Sequence, residues 1–257
     1  MQKTALITGS YGGLGTCFVE LHAATHGDVI LVGRSKEKLE QQKQYVEKTY
    51  SVSAHIISVD LSTEDAAQFI FDTCKLNGWS VDYLINNAGF GTFGEFTETD
   101  LITELNMINT NVCAVHTLTK LFLEDMCKKN SGYILNVASI AGFMPGPHMA
   151  TYHATKAYVL KLTQSIYEEI KQRKSNVKIS ALCPGPIKTP FLDKANVEFK
   201  TKLMTSRYVA RYAIDNMFKG KYMILPGNSN KAIRFLSKIV PDKIIGKIVY
   251  NMEEAKK

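Results

Sequence analysis

The chain has 257 residues, 45% of them hydrophobic and 21% charged, with a formal net charge of +7. This composition excludes a disordered or fibrous chain, suffices for one large buried core and makes a single domain over 1–257 the default. The excess charge invites a nucleic-acid reading, but no aromatic-interleaved basic stripe or reader motif accompanies it, so no nucleic-acid partner is expected.

Short runs rich in Val, Ile and Leu alternate along the chain with longer segments of helical period. Strands are expected at Lys3 to Thr8, Asp28 to Gly33, Ala54 to Val59, Tyr83 to Asn87, Gly132 to Ser139, Val177 to Cys183 and Lys221 to Leu225. Helices are expected near Gly13 to His26, Ser35 to Thr49, Glu64 to Asn77, Asp100 to Lys129, Thr151 to Lys174 and Thr205 to Lys219. Repetition of this kind builds βαβ units, so the expected fold class is α/β: a doubly wound, Rossmann-like parallel sheet of about seven strands covered on both faces.

Beyond a core of 1–228, the segment 229–257 is a basic amphipathic extension. It places Ile233, Leu236, Ile239, Val240, Ile244, Ile245, Ile248 and Val249 on a roughly helical period, with Lys231, Arg234, Lys238, Lys243 and Lys247 between them. Pro241 is expected to break it into two helices. Such a tail can lie on an acidic membrane surface through 231–250, cover a site, form a subunit contact or pack on its own domain, and the pattern admits all four.

Five scattered cysteines without a Cys-x-x-Cys pair argue against a disulfide framework or a zinc site, and the six histidines lack ligand-like spacing, so no metal is expected. Met1-Gln2-Lys3 runs straight into an apolar segment, and no stretch reaches the eighteen or so apolar residues that span a bilayer, so a cytoplasmic, soluble protein is expected.

Chemistry enters at the carboxyl ends of the strands, where ligands bind in such sheets. After the first strand, Thr8-Gly9-Ser10-Tyr11-Gly12-Gly13-Leu14-Gly15 opens a helix, so its glycines turn tightly and let a pyrophosphate approach the helix amino terminus. Asn86-Asn87-Ala88-Gly89 follows the fourth strand, Ser139 closes the fifth, and Pro184-Gly185 follows the sixth. Tyr152 and Lys156 stand four residues apart, thirteen residues after Ser139. With twelve tyrosines in a lysine-rich chain the spacing alone is weak, and Tyr167 with Lys171 repeats it. Thirteen residues before Tyr167, however, stands Ala154, which cannot hydrogen-bond a carbonyl oxygen.

These motifs together resemble the short-chain dehydrogenase/reductase family from Lys3 to about Leu225. The resemblance implies hydride transfer between a nicotinamide cofactor and a ketone or secondary alcohol, with Tyr152 as general acid or base. A lysine one helical turn away favours phenolate, the role expected of Lys156, and Ser139 is expected to hydrogen-bond the substrate oxygen. The resemblance also implies a proton relay through Asn111, with Asn109 as a rival by register. It implies cofactor contacts from Gly9, Ser10, Tyr11, Gly13, Leu14, Gly15, Asp60, Leu61, Asn87, Ala88, Gly89, Tyr152, Lys156, Pro184, Gly185, Ile187 and Thr189; Asn87 serves equally as a strand-end structural residue.

At the end of the second strand, Arg34 and Ser35 stand where an acidic residue would select NAD(H), so NADP(H) is expected. Phe93, Ile140, Phe143, Met144, Met149, Phe191 and Leu192 are expected to form a pocket for a lipophilic substrate, steroid-like or fatty. Competing readings are a reductase of 3-oxoacyl thioesters and a non-catalytic NADP(H)-sensing regulator. A homodimer or homotetramer is implied by resemblance.

Overall fold

The computed structural model describes residues 3–188 and 203–254. Seven parallel strands form the central sheet: β1 (Thr4–Thr8), β2 (Asp28–Gly33), β3 (Ala54–Ser58), β4 (Tyr83–Asn86), β5 (Tyr133–Val137), β6 (Lys178–Leu182) and β9 (Met223–Ile224), in the order β3-β2-β1-β4-β5-β6-β9. A parallel strand in mid-sheet is covered on both faces, which is why β1 reads Ala5-Leu6-Ile7 without a polar break and all three are fully buried. The remaining two strands, β7 (Ile187–Lys188) and β8 (Met204–Thr205), form a separate short ladder.

Two apolar layers hold the sheet. On one face, α1 (Gly13–Ala23), α2 (Lys36–Tyr50) and α7 (Ser206–Phe218) contribute Phe18, Leu39 and Val209; on the other, α3 (Ala66–Leu76), α5 (Ala114–Lys129) and α6 (Ala150–Gln172) contribute Ile70, Leu118 and Ile170. The sequence predicts one helix from Asp100 to Lys129, but the structure breaks it into α4 (Leu101–Ile108), a π turn (Asn109–Cys113) and α5. The wide turn is anchored by side chains: fully buried Asn111 accepts from the Phe90 amide (3.1 Å) and donates to the Phe90 carbonyl (2.9 Å) and to Thr155 Oγ1 (3.2 Å). Pro241 separates α8 (Asn228–Ile239) from α9 (Asp242–Glu254), and no helix of the described residues is long and apolar enough to cross a membrane.

The strand order reverses between β1 and β4, and a hydrogen-bonded clasp fixes that crevice. Thr8 Oγ1 accepts from the amides of Asn87 and Ala88 (3.0 Å each), while Asn87 Nδ2 donates to the carbonyls of Thr8 (2.9 Å) and Gly9 (3.2 Å). Behind it lies a fully buried polar ladder: Asn86 Nδ2 donates to Asn136 Oδ1 (2.8 Å), and Asn136 Nδ2 donates to Thr163 Oγ1 (3.0 Å), linking β4, β5 and α6. Cutting Asn136 leaves Asn86 and Thr163 without these partners. Denaturant unfolding of Asn136→Ala is therefore expected to show a loss of about 2–4 kcal/mol.

Candidate active site

The glycine-rich turn is built around contacts that allow no side chain. Gly9 holds φ +62°, and a Cβ on Gly15 would overlap the Gly9 carbonyl oxygen. The amino terminus of α1 has Gly12 as its cap, with no side-chain capping bond and no acidic residue in the first turn. Gly12 and Gly13 line a cavity of about 1630 Å³ that runs from Arg34 and Lys38 at one end to Ser139, Tyr152 and Lys156, and on to the carboxyl-terminal helices.

Tyr11 fixes the far end. Its hydroxyl accepts from the amides of Arg34 and Ser35 (3.0 Å each), and its ring fills the space that a side chain at Gly33 would need. Arg34 approaches Asp60 at 3.8 Å, and Asp60 Oδ1 accepts from the amide (3.0 Å) and hydroxyl (2.9 Å) of Ser62. Ser35 Oγ caps α2 by accepting from the Lys38 amide (3.3 Å). Lys38, one turn beyond Arg34, brings a second cation to the cavity. The sequence reading missed Lys38, although its place one helical turn after a Ser cap was a usable signal.

At the other end Ser139, Tyr152 and Lys156 meet. Ser139 Oγ accepts from the Ala141 amide (3.1 Å), and its hydroxyl shares a hydrogen bond with the Tyr152 phenol. Burial pushes the phenol above its ordinary value of 10, and the bond to Ser139 opposes that rise. Lys156 is 5% exposed and donates to the Val137 carbonyl (2.9 Å), with Nζ 5.7 Å from the centre of the Tyr152 ring. Burial brings its ammonium down to about 8. Tyr167 lies in the apolar layer beside Tyr222, away from the cavity, as its Ala154 context implies.

Asn111 sits behind this group and does not line the cavity; Asn109 turns away and donates to the Ser62 carbonyl (3.0 Å). Of the residues read as cofactor contacts, Gly9, Tyr11, Gly13, Leu14, Arg34, Asp60, Leu61, Asn87, Ala88, Gly89, Pro184, Gly185 and Ile187 line the cavity together with Tyr152 and Lys156. Ser10 is fully buried, Gly15 packs against the turn and Ser35 is spent on its cap, and these three do not line the cavity. Of the residues expected to form the substrate pocket, Ile140, Met144 and Met149 line the cavity. Phe93 and Phe143 do not: Phe93 packs on His148 (5.5 Å between centroids), and Phe143 is buried beneath Arg234. Thr189, Phe191 and Leu192 lie outside the described residues.

The extension supplies what the sequence reading left open. Ile233, Leu236, Val240, Ile245, Ile248, Val249 and Met252 line the same cavity, so α8 and α9 form its apolar roof. Three contacts hold the roof down. Arg234 stacks 4.6 Å above the Phe143 ring, Asn230 occupies the space beside Gly185 that a side chain there would need, and Tyr250 packs 5.0 Å from His148. A periodicity shows that a helix has an apolar face but not what that face covers.

The sequence matches the short chain dehydrogenase family over residues 3–199. The chain belongs to the short-chain dehydrogenase family. This short-chain dehydrogenase is 32% identical over 212 residues to the very-long-chain 3-oxoacyl-CoA reductase of Mus musculus, covering 77% of this chain and 66% of that protein. The chain thus spans just under two thirds of the length of that relative. It is 29% identical over 200 residues to the 3-oxoacyl-(acyl-carrier-protein) reductase of Aquifex aeolicus, covering 78% and 80% of the two chains. Among solved structures it superposes on a short-chain dehydrogenase of Sphingobium yanoikuyae in complex with NADPH (TM-score 0.82, 23% identity, 93% and 96% covered). A Burkholderia phymatum relative in complex with NAD gives the same TM-score of 0.82 at 23% identity, with 91% and 92% covered.

The buried ammonium makes a stability prediction whose sign is fixed. Lys156 titrates near 8 when folded against 10.5 ordinarily, so between those values the unfolded chain binds a proton that the folded chain has lost. Folding is therefore favoured increasingly as pH rises through this window. Chemical denaturation of the wild type and of Lys156→Met is expected to show the difference shifting towards the wild type by on the order of 2–3 kcal/mol across it, with little change between pH values well below 8.

Proposed function

We propose that this short-chain dehydrogenase is an NADP(H)-dependent oxidoreductase that interconverts a lipophilic ketone and its secondary alcohol. One observation carries the reading: the hydrogen-bonded hydroxyls of Ser139 and Tyr152 line one cavity with buried Lys156, an uncapped glycine turn and two cations. The residues suit an anionic dinucleotide. The uncapped amides of α1 offer donors and positive potential to a pyrophosphate, and the end of β2 presents Arg34 and Lys38 with no carboxylate of its own, which favours a 2′-phosphate.

When bound, the nicotinamide supplies the hydride. Tyr152 supplies the proton to the carbonyl oxygen in reduction and withdraws it in oxidation, because a free alkoxide is too basic to leave near neutral pH. Ser139 donates a hydrogen bond to the same oxygen and so orients it. Lys156 is charged at neutral pH given its value of about 8, and its positive charge offsets the burial that holds the phenol up. Asn111, which grips Phe90 and Thr155, positions these groups from behind and serves in the proton relay.

The apolar roof and Ile140, Met144 and Met149 support a bulky, lipophilic substrate. The names of the mouse and Aquifex relatives favour a specific second reading, reduction of 3-oxoacyl thioesters. Leu101, Ile102 and Leu105 of α4 and Tyr158 of α6 are exposed and fit a contact between like subunits.

Consumption of NADPH and NADH is to be followed against steroid ketones, simple ketones and 3-oxoacyl thioesters. Turnover with NADPH is expected, and Tyr152→Phe is expected to cut kcat by about a hundredfold to ten-thousandfold while NADPH still binds. Tight NADPH binding with no turnover on any ketone or thioester would instead indicate a sensor. In a calorimetric titration, Arg34→Ala combined with Lys38→Ala is expected to weaken NADPH binding by about tenfold or more and to leave NADH binding nearly unchanged.

A further inference from the structure

We propose that the outer side of α8 and α9 docks on an anionic lipid surface and that the cavity opens onto it. Phe235, Ile239 and Ile244 are 63%, 63% and 52% exposed and do not line the cavity. Leu236, Ile248 and Met252 do both: they line the cavity and are 53%, 51% and 59% exposed, so they form its rim. Six large apolar side chains on two consecutive helices go beyond the scattered singles that a soluble surface normally carries.

Charge selects the occupant. Lys231, Lys238, Lys243 and Lys247 are all exposed on the same two helices, and the acidic residues there stand at the two ends of α9, Asp242 at its start and Glu253 and Glu254 at its last turn. A second copy seated symmetrically on this face would bring those lysines towards their own counterparts, and like charges oppose such a contact. An anionic bilayer satisfies both features: the lysines meet lipid phosphates, and the apolar side chains enter the headgroup and acyl boundary. Neither helix is long and apolar enough to span, so the pair lies on the surface.

The same two helices are thus a roof on one side and a docking face on the other, and the rim side chains join the two. The consequence that an apolar substrate passes from the lipid past Leu236 and Ile248 into the cavity rests on the oxidoreductase reading; docking itself does not.

The test is co-sedimentation of the full chain with vesicles of phosphatidylcholine alone and of phosphatidylcholine mixed with phosphatidylglycerol. The chain is expected to pellet with the mixed vesicles, to be released by added salt, and to stay in solution with the neutral ones. Replacing Lys231, Lys238, Lys243 and Lys247 by Gln is expected to weaken binding by about tenfold or more. Phe235→Ser with Ile239→Ser and Ile244→Ser is expected to weaken it as well. None of these seven side chains lines the cavity, so an unchanged circular-dichroism spectrum and thermal midpoint in both variants verify that the fold is intact.

Failure to bind the mixed vesicles, or equal binding to neutral and mixed vesicles, overturns the proposal. So does a wild-type dimer that the serine variant dissociates without any vesicle binding, since the occupant is then a second copy. Sedimentation does not depend on turnover, so an inactive enzyme that binds vesicles and an active one that does not are separate outcomes.

Discussion

One buried cation constrains the site. Lys156 has nearly no solvent to stabilise its charge, and the partner that replaces water is the Val137 carbonyl at the end of β5. That bond ties the second turn of α6 to the strand end, two residues before Ser139, and Tyr152 lies one helical turn earlier on α6. The hydroxyl pair therefore meets where the sheet and the helix are pinned together. The cost is visible in the titration: burial lowers the lysine and raises the phenol, so in the free protein both groups are pushed towards neutrality. A site that stores such a cost in two adjacent titratable groups is the kind of place where a proton is moved.

The remaining architecture divides the cavity by chemistry. One end is made of backbone amides and cations, with Tyr11 holding the backbone of Arg34 and Ser35 in place. The other end is apolar, and the carboxyl-terminal helices share its described wall with the loops that follow the strands. The extension is therefore part of the site, locked by Arg234 on Phe143, Asn230 beside Gly185 and Tyr250 on His148.

Much of this was legible in the chain because its causes are local. Each central strand of the sheet announces itself as an apolar run bounded by turn residues, and every one lies within its expected segment. The glycine turn and the spacing of Ser139, Tyr152 and Lys156 were readable because a βα turn and a helical repeat fix where those residues point. What stayed hidden depends on contacts between distant segments. The π turn at Asn109–Cys113 exists because Asn111 reaches Phe90 and Thr155, and no local propensity encodes that. Phe93 and Phe143 look like pocket residues by position, yet one is claimed by His148 and the other by Arg234 from a helix about ninety residues further on. The role of α8 and α9 as a roof was one of four that the amphipathic pattern admitted, and only contacts with Phe143, Gly185 and His148 select it.

The central claim is that hydride passes within this cavity to a carbonyl carbon while Tyr152 handles the proton. The most direct measurement follows the label: a ketone or thioester that the protein turns over is reduced with NADPH deuterated at the transferring position, and the alcohol is analysed by mass spectrometry. The account predicts deuterium at the carbinol carbon, with label transfer lost in Tyr152→Phe. Product without the label, or undiminished transfer in Tyr152→Phe, contradicts it.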